Sequence, residues 1–98
     1  MKRIVLLCSA GASTSMLMKK MLEAAASEGF DCSVEAHPIN DIKEYADADC
    51  ILLGPQVRFQ LEKVKPQVSC PIEVIDMSSY GTMNGSAVLA QARKLMGE

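Results

Sequence analysis

Hydrophobic positions along this chain fall into short dense runs separated by stretches with helical spacing. Lys2 to Leu7 (Lys-Arg-Ile-Val-Leu-Leu) is β-branched and apolar without alternation, the pattern of a central strand covered on both faces. Ser13 to Glu28 changes period: Leu17, Met21, Leu22 and Ala25 share one stripe, and Lys19, Lys20, Glu23 and Glu28 lie mostly off it. That spacing predicts a helix, which Gly29 stops. Cys32 to Ala36 alternates, with Cys32, Val34 and Ala36 on one side and Ser33, Glu35 and His37 on the other, and reads as an edge strand. Asp41 to Ala46 is expected to form a short helix.

The second half repeats the alternation. Cys50 to Leu53 is another buried strand, ending at Gly54-Pro55. Val57 to Val68 is expected to be helical and is closed off by Pro71, and Ile72 to Ile75 is a fourth strand. A polar loop from Asp76 to Asn84 leads into a last helix from about Gly85 to Met96. Strands separated by helices imply right-handed crossovers and a parallel sheet covered on both faces. The predicted fold is therefore α/β: one domain over residues 1–98, a four-stranded parallel sheet with helices on both faces.

Composition narrows the function. Ninety-eight residues, 49% hydrophobic and 22% charged, can pack one core and no more. The net charge of −2 lacks the basic excess of a nucleic-acid surface, so nucleic acid is not expected as a partner. Aromatic residues are only 4%, with no Trp, leaving little for base or sugar stacking. Met1-Lys2-Arg3 followed by an apolar run superficially suggests a secretory signal, but Ile4 to Cys8 falls short of the ~7–15 residues a signal needs. A soluble, cytoplasmic protein is expected. Cys8, Cys32, Cys50 and Cys70 form no Cys-x-x-Cys pair, and His37 is the lone histidine. Metal sites and dithiol redox motifs are thus unsupported, the thiols are expected to be reduced, and no cofactor is implied.

One cysteine stands apart. In an open parallel sheet, ligands bind beyond the carboxyl ends of the strands, where Cys8-Ser9-Ala10-Gly11-Ala12-Ser13-Thr14-Ser15 follows a buried strand and opens a helix. Small residues let the backbone curl, with Gly11 free to take positive φ. The amides of Ser9, Ala10, Gly11, Ala12, Ser13 and Thr14 would then join the positive end of the helix in a phosphate-sized cradle. A thiolate at Cys8 would be favoured by the same dipoles and poised as a nucleophile. The alternative for Cys8 is a small apolar residue at a strand end. For Cys32, Cys50 and Cys70 core packing is the expected role.

Three stretches together resemble a known family. Cys8 to Ser15, Leu53-Gly54-Pro55-Gln56, and Val74-Ile75-Asp76 leading to Tyr80-Gly81-Thr82-Met83-Asn84-Gly85 look like the lactose/cellobiose-type enzyme IIB of the bacterial phosphoenolpyruvate-dependent sugar phosphotransferase system. The resemblance spans essentially the whole chain. It implies that Cys8 accepts phosphate from a phosphohistidine on a IIA component and donates it to a sugar held by a membrane IIC component, through which alone the protein meets the membrane. It implies a β-linked disaccharide such as cellobiose, chitobiose or lactose. It also implies a fold similar to low-molecular-weight tyrosine phosphatases, which defines a rival function. Those enzymes carry an Arg where this chain has Thr14, followed by Ser15; Thr14 supplies a hydroxyl but no charged fork for the transition state. A third class is a non-catalytic module whose Cys8 senses oxidation.

Other residues are weaker candidates. Gln56, Arg58, Tyr80 and Asn84 belong to segments leaving the same end of the sheet and are expected to shape the site or its partner contacts. Ordinary turn chemistry is the alternative for Tyr80 and Asn84, a helix start for Asn84-Gly85, and a solvated surface role for Arg58. His37 is a conceivable second phosphoryl acceptor, although turn structure explains it as well. Met16, Met18 and Met21 belong to the first helix, and any left exposed near Cys8 would offer an adaptable contact surface.

Overall fold

The computed structural model describes residues 1–9 and 12–98, without the side chains of residues 12 and 13. Four parallel strands, β1 (Lys2–Cys8), β2 (Cys32–Pro38), β3 (Cys50–Leu53) and β4 (Ile72–Val74), form a sheet in the order β2-β1-β3-β4. The central strand β1 pairs Leu6 with Ala36 on one side and with Leu52 on the other. Its residues Ile4 to Leu7 are completely buried, as an unalternating apolar run demands when both faces of a sheet are covered.

Each face has its own core. On one, α1 (Ala12–Glu28) and α4 (Gly85–Leu95) bring Leu17, Met21, Val88, Leu89 and Ala92 against Ile4, Leu6, Cys50 and Leu52. On the other, Val5, Leu7, Ile51 and Leu53 meet Ile39, Ile42, Ala48, Val57 and Val64. The two helices of the first face cross closely at Gly85: a Cβ there would lie within clash distance of the Lys20 backbone.

The covering segments of the second face differ from expectation. The stretch expected to be one helix from Val57 to Val68 is instead a 3₁₀ turn (Pro55–Gln60), a single α-turn α2 (Leu61–Val64) and a second 3₁₀ turn (Lys65–Gln67). Val57 leaves the helical region at φ −114° and ψ 19°, and Pro66 lacks the N–H that a continuing helix would need. The Asp41 to Ala46 helix is likewise a 3₁₀ turn, Ile39–Tyr45. The loop expected between Asp76 and Asn84 contains a short helix, α3 (Met77–Gly81), capped by the Asp76 carboxylate.

At the far edge, Glu35 on β2 takes two hydrogen bonds from Arg3, from Nε at 2.6 Å and Nη2 at 3.1 Å. His37 lies 3.1 Å from the same carboxylate and stacks on Tyr45 with ring centroids 4.2 Å apart. The lone histidine is thus part of an edge cluster that pins the Ile39–Tyr45 turn to β2.

Candidate functional site

The site is built where β1 ends. Cys8 is its last residue, buried, and α1 begins at Ala12. Alternation along β1 sends Cys8 to the same face as Ile4 and Leu6, the face α1 covers. Thr14, in the first turn of α1, is the one fully buried polar residue among those described. Its Oγ1 lies 3.3 Å from Cys8 Sγ, a distance at which a hydroxyl can donate to a thiolate. The first turn of α1 carries no acidic residue, so nothing on the helix itself offsets the positive end of its dipole. Ser9 is an exposed bend directly after β1. Ala10 and Gly11, two members of the expected cradle, lie outside the described residues, as do the side chains of Ala12 and Ser13.

The neighbouring strand contributes through a missing side chain. Gly54 follows β3, and its N–H donates to the Leu7 carbonyl at 2.8 Å. A Cβ on Gly54 would stand 3.3 Å from Cys8 Cβ and 2.7 Å from Gln56 Oε1. Gly54 has an ordinary extended backbone, φ −61° and ψ 147°, so close approach rather than conformation calls for glycine here. The space it leaves is taken by the Gln56 carboxamide, whose Nε2 donates to the Tyr80 hydroxyl at 3.1 Å. Gln56 and Tyr80 are therefore brought together from two different strand ends, with Gln56 against the glycine that flanks Cys8.

Asn84 and Arg58 are placed differently. The Asn84 side-chain oxygen accepts from the Ala87 N–H at 3.0 Å and caps α4. Arg58 is exposed and donates from Nη1 to the Pro55 carbonyl at 2.9 Å, bracing its own turn. Sequence reasoning missed Gly54 as a packing position and also missed the use made of Asp76. The Asp76 Oδ2 accepts from Ser78 Oγ at 2.7 Å and from the N–H and hydroxyl of Ser79 at 3.1 Å each. The Ser78 and Ser79 bonds lower its pKa below the ordinary carboxylate range, the wrong direction for a general acid. The pattern Asp-x-x-Ser at a chain reversal was the available signal for that cap.

The remaining thiols are discouraged as nucleophiles. Burial pushes Cys50 up to about 12, and burial likewise raises Cys32 and Cys70. Among the described residues no group of three potential ligands is gathered for a metal ion. No described helix is long and apolar enough to cross a membrane. A groove of about 550 Å³ runs along α4 past Glu73, Asp76, Ser79, Gln91 and Lys94, and Cys8 does not line it.

Comparison with known proteins agrees with the resemblance seen in the sequence. The family model described as "PTS system, Lactose/Cellobiose specific IIB subunit" matches residues 3–91. The chain is 42% identical to the oligo-beta-mannoside-specific EIIB component of Bacillus subtilis, over 98% of this chain and 97% of that one. It is 41% identical to the galactose-specific EIIB component of Lactococcus lactis subsp. cremoris, over 97% and 96% respectively. Among solved structures, the cellobiose-specific IIB component from Borrelia burgdorferi superposes with a TM-score of 0.80 at 39% identity, covering 98% of this chain and 92% of that one. The lactose-specific IIB domain from Streptococcus pneumoniae shares the fold, with a TM-score of 0.83, 17% identity and 95% of each chain covered. With a buried cysteine at the end of β1 under the first turn of α1, and with this agreement along its length, the chain belongs to the lactose/cellobiose-specific IIB family of the sugar phosphotransferase system.

Proposed function

We propose that this IIB component relays phosphate through Cys8 in the cytoplasm. The thiolate attacks the phosphorus of a phosphohistidine on a IIA protein, forming an S–P bond as the N–P bond breaks. A hydroxyl of a sugar bound by a membrane IIC protein then attacks the same phosphorus, and the thiolate leaves. The observation that carries the reading is the Thr14 hydroxyl 3.3 Å from Cys8 Sγ: a donor in that place stabilises the thiolate both as nucleophile and as leaving group. The backbone from Ser9 to Thr14, including Ala10, Gly11, Ala12 and Ser13, is the proposed cradle for the phosphoryl oxygens. Catalysis on this reading is positioning plus electrostatics, as phosphoryl transfer requires.

Two features favour a carrier over a cysteine phosphatase. Thr14 supplies no positive charge for water's attack on the phosphocysteine, and the carboxylate after β4, Asp76, is engaged in capping α3. Partner contact is supported by Met16, Phe59 and Met77, large apolar residues exposed by 57%, 78% and 60% on the segments that leave the Cys8 end of the sheet. Adaptable side chains of this kind suit a surface that must receive two partners in turn. The relatives named for cellobiose and oligo-beta-mannoside favour a β-linked disaccharide or oligosaccharide as the final acceptor.

The test is intact-protein mass spectrometry after incubation with phosphorylated IIA, followed by mapping of the adduct. One phosphoryl group on Cys8 is expected, and Cys8→Ser should accept none there. An adduct on His37, or a competent Cys8→Ser protein, would overturn the assignment.

A further inference from the structure

Gln91 lies on α4 and lines the groove beside the sheet rather than the Cys8 site. Its carboxamide nevertheless finishes the sheet. β4 is an edge strand, paired with β3 on one side only. In a parallel ladder, the next strand would donate one N–H to a carbonyl of β4 and accept from the N–H two residues further on. Gln91 makes both bonds with one side chain. Its Nε2 donates to the Val74 carbonyl at 2.8 Å, and its Oε1 accepts from the Asp76 N–H at 3.1 Å. One side-chain amide thus stands in for the N–H and C=O that a residue of a fifth strand would offer.

The contacts of Asp76 give this plug a functional direction. The Asp76 carboxylate caps α3 through Ser79, and the Asp76 carbonyl accepts from the Tyr80 N–H at 3.0 Å. Tyr80 in turn takes the hydrogen bond from Gln56, whose other amide atom fills the space over Gly54 beside Cys8. Anchoring Asp76 therefore fixes the helix that holds Tyr80 against Gln56. We propose that Gln91 is a positioning residue for the Cys8 site, acting through Asp76, α3 and the Tyr80–Gln56 pair. The inference deepens the reading of Cys8 as the phosphoryl acceptor and rests on it for its catalytic meaning.

The test compares Gln91→Leu, Tyr80→Phe, the double variant and the unchanged protein. Two rates are measured: alkylation of Cys8 by iodoacetamide with peptide mapping, and phosphorylation of Cys8 by phosphorylated IIA. Releasing Gln56 uncovers the flank of Cys8, so Gln91→Leu should raise the first rate and lower the second by about threefold or more, with the double variant no worse than Tyr80→Phe alone. Arg93→Ala, which removes the Glu28 ion pair and the Phe30 contact from the same helix, should destabilise the protein and leave both rates unchanged. Hydrogen exchange at the Asp76 amide should quicken in Gln91→Leu and the double variant, and not in Tyr80→Phe or Arg93→Ala. Should that variant not fold, Gln91→Ala makes the same comparison. Unchanged rates in a folded Gln91 variant, or effects that simply multiply with those of Tyr80→Phe, would overturn the proposal. Absence of transfer to the unchanged protein would instead overturn the phosphocarrier reading, while the alkylation rates would still decide the role of Gln91.

Discussion

Thr14 and Cys8 meet in a buried contact, hydroxyl oxygen to sulfur at 3.3 Å. The contact ties the first turn of α1 to the end of β1. When Cys8 is a thiolate, the hydroxyl can donate to it, and it provides no charged fork for an attacking water.

Thr14→Val keeps the shape and removes the hydroxyl. Hydrogen bonds to charged groups contribute about 1.5–3 kcal/mol, so phosphorylation of Cys8 should slow by roughly 10- to 100-fold. Thr14→Ser should recover most of the rate. Single-turnover transfer from phosphorylated IIA measures both, and a fully active Thr14→Val protein would remove the hydroxyl from the mechanism.

Gly54→Ala probes the other flank of Cys8. The backbone there suits any residue, but the new methyl would displace the Gln56 amide, which stands 2.7 Å from its position. Because that amide ends a flexible side chain, stability should change by no more than about 1 kcal/mol. Transfer to Cys8 should nevertheless fall, because the Gln56–Tyr80 bond must open. Thermal unfolding with the transfer assay separates the two effects, and unimpaired transfer would show that Gln56 does not shape the site.

How much of the fold and site was legible in the sequence varies by element. β1 and β3 could be read because strands buried on both faces need no alternation, and Ile4 to Leu7 and Cys50 to Leu53 carry none. Cys8 stood out because a run of small residues follows it directly in the sequence, and the structure adds its burial and its contact with Thr14. The Val57 to Val68 stretch misled because its apolar spacing is helical, while a non-helical Val57 and Pro66 break it into single turns. Helix α3 was hidden because five residues are too few to show a period. Gly54, Gly85 and Gln91 could not be read at all: each matters through an atom or an empty space supplied by a segment remote in sequence.

Acid should loosen the β2 edge. Hydrogen bonding from Arg3, then from His37, holds the Glu35 carboxyl down to about 2. A depressed carboxylate contributes stability above its unfolded pKa of ~4.3, and this is lost as pH falls toward its folded value. The pair is partly exposed, so solvent screening keeps its contribution small. Urea midpoints for the unchanged protein should therefore decline between about pH 5 and 2, with a shallower decline in Glu35→Gln. Parallel curves would show that Arg3 and Glu35 do not stabilise the fold.

Gly85→Ala should be far more damaging than its small volume suggests. The added methyl would enter the Lys20 backbone, and main chain cannot rotate away as the Gln56 side chain can. Separating α1 from α4 opens the core around Leu17, Met21, Val88 and Leu89, at a cost of roughly 1–3 kcal/mol. A melting temperature within experimental error of the parent would show that the two helices can part without loss.

The place of β1 in the sheet sets a timetable for synthesis. Its neighbours β2 and β3 both come later along the chain, and Leu53 trails Cys8 by about 45 residues. On a ribosome working at roughly 5–20 residues per second, the Ile-Val-Leu-Leu run is made several seconds before the strand that covers its second edge. In that interval β1 has the first helix, β2 and the Ile39–Tyr45 turn to pack against, but no strand along its second edge. The strand most protected in the finished protein is therefore the one whose second edge stays open longest while the protein is being made.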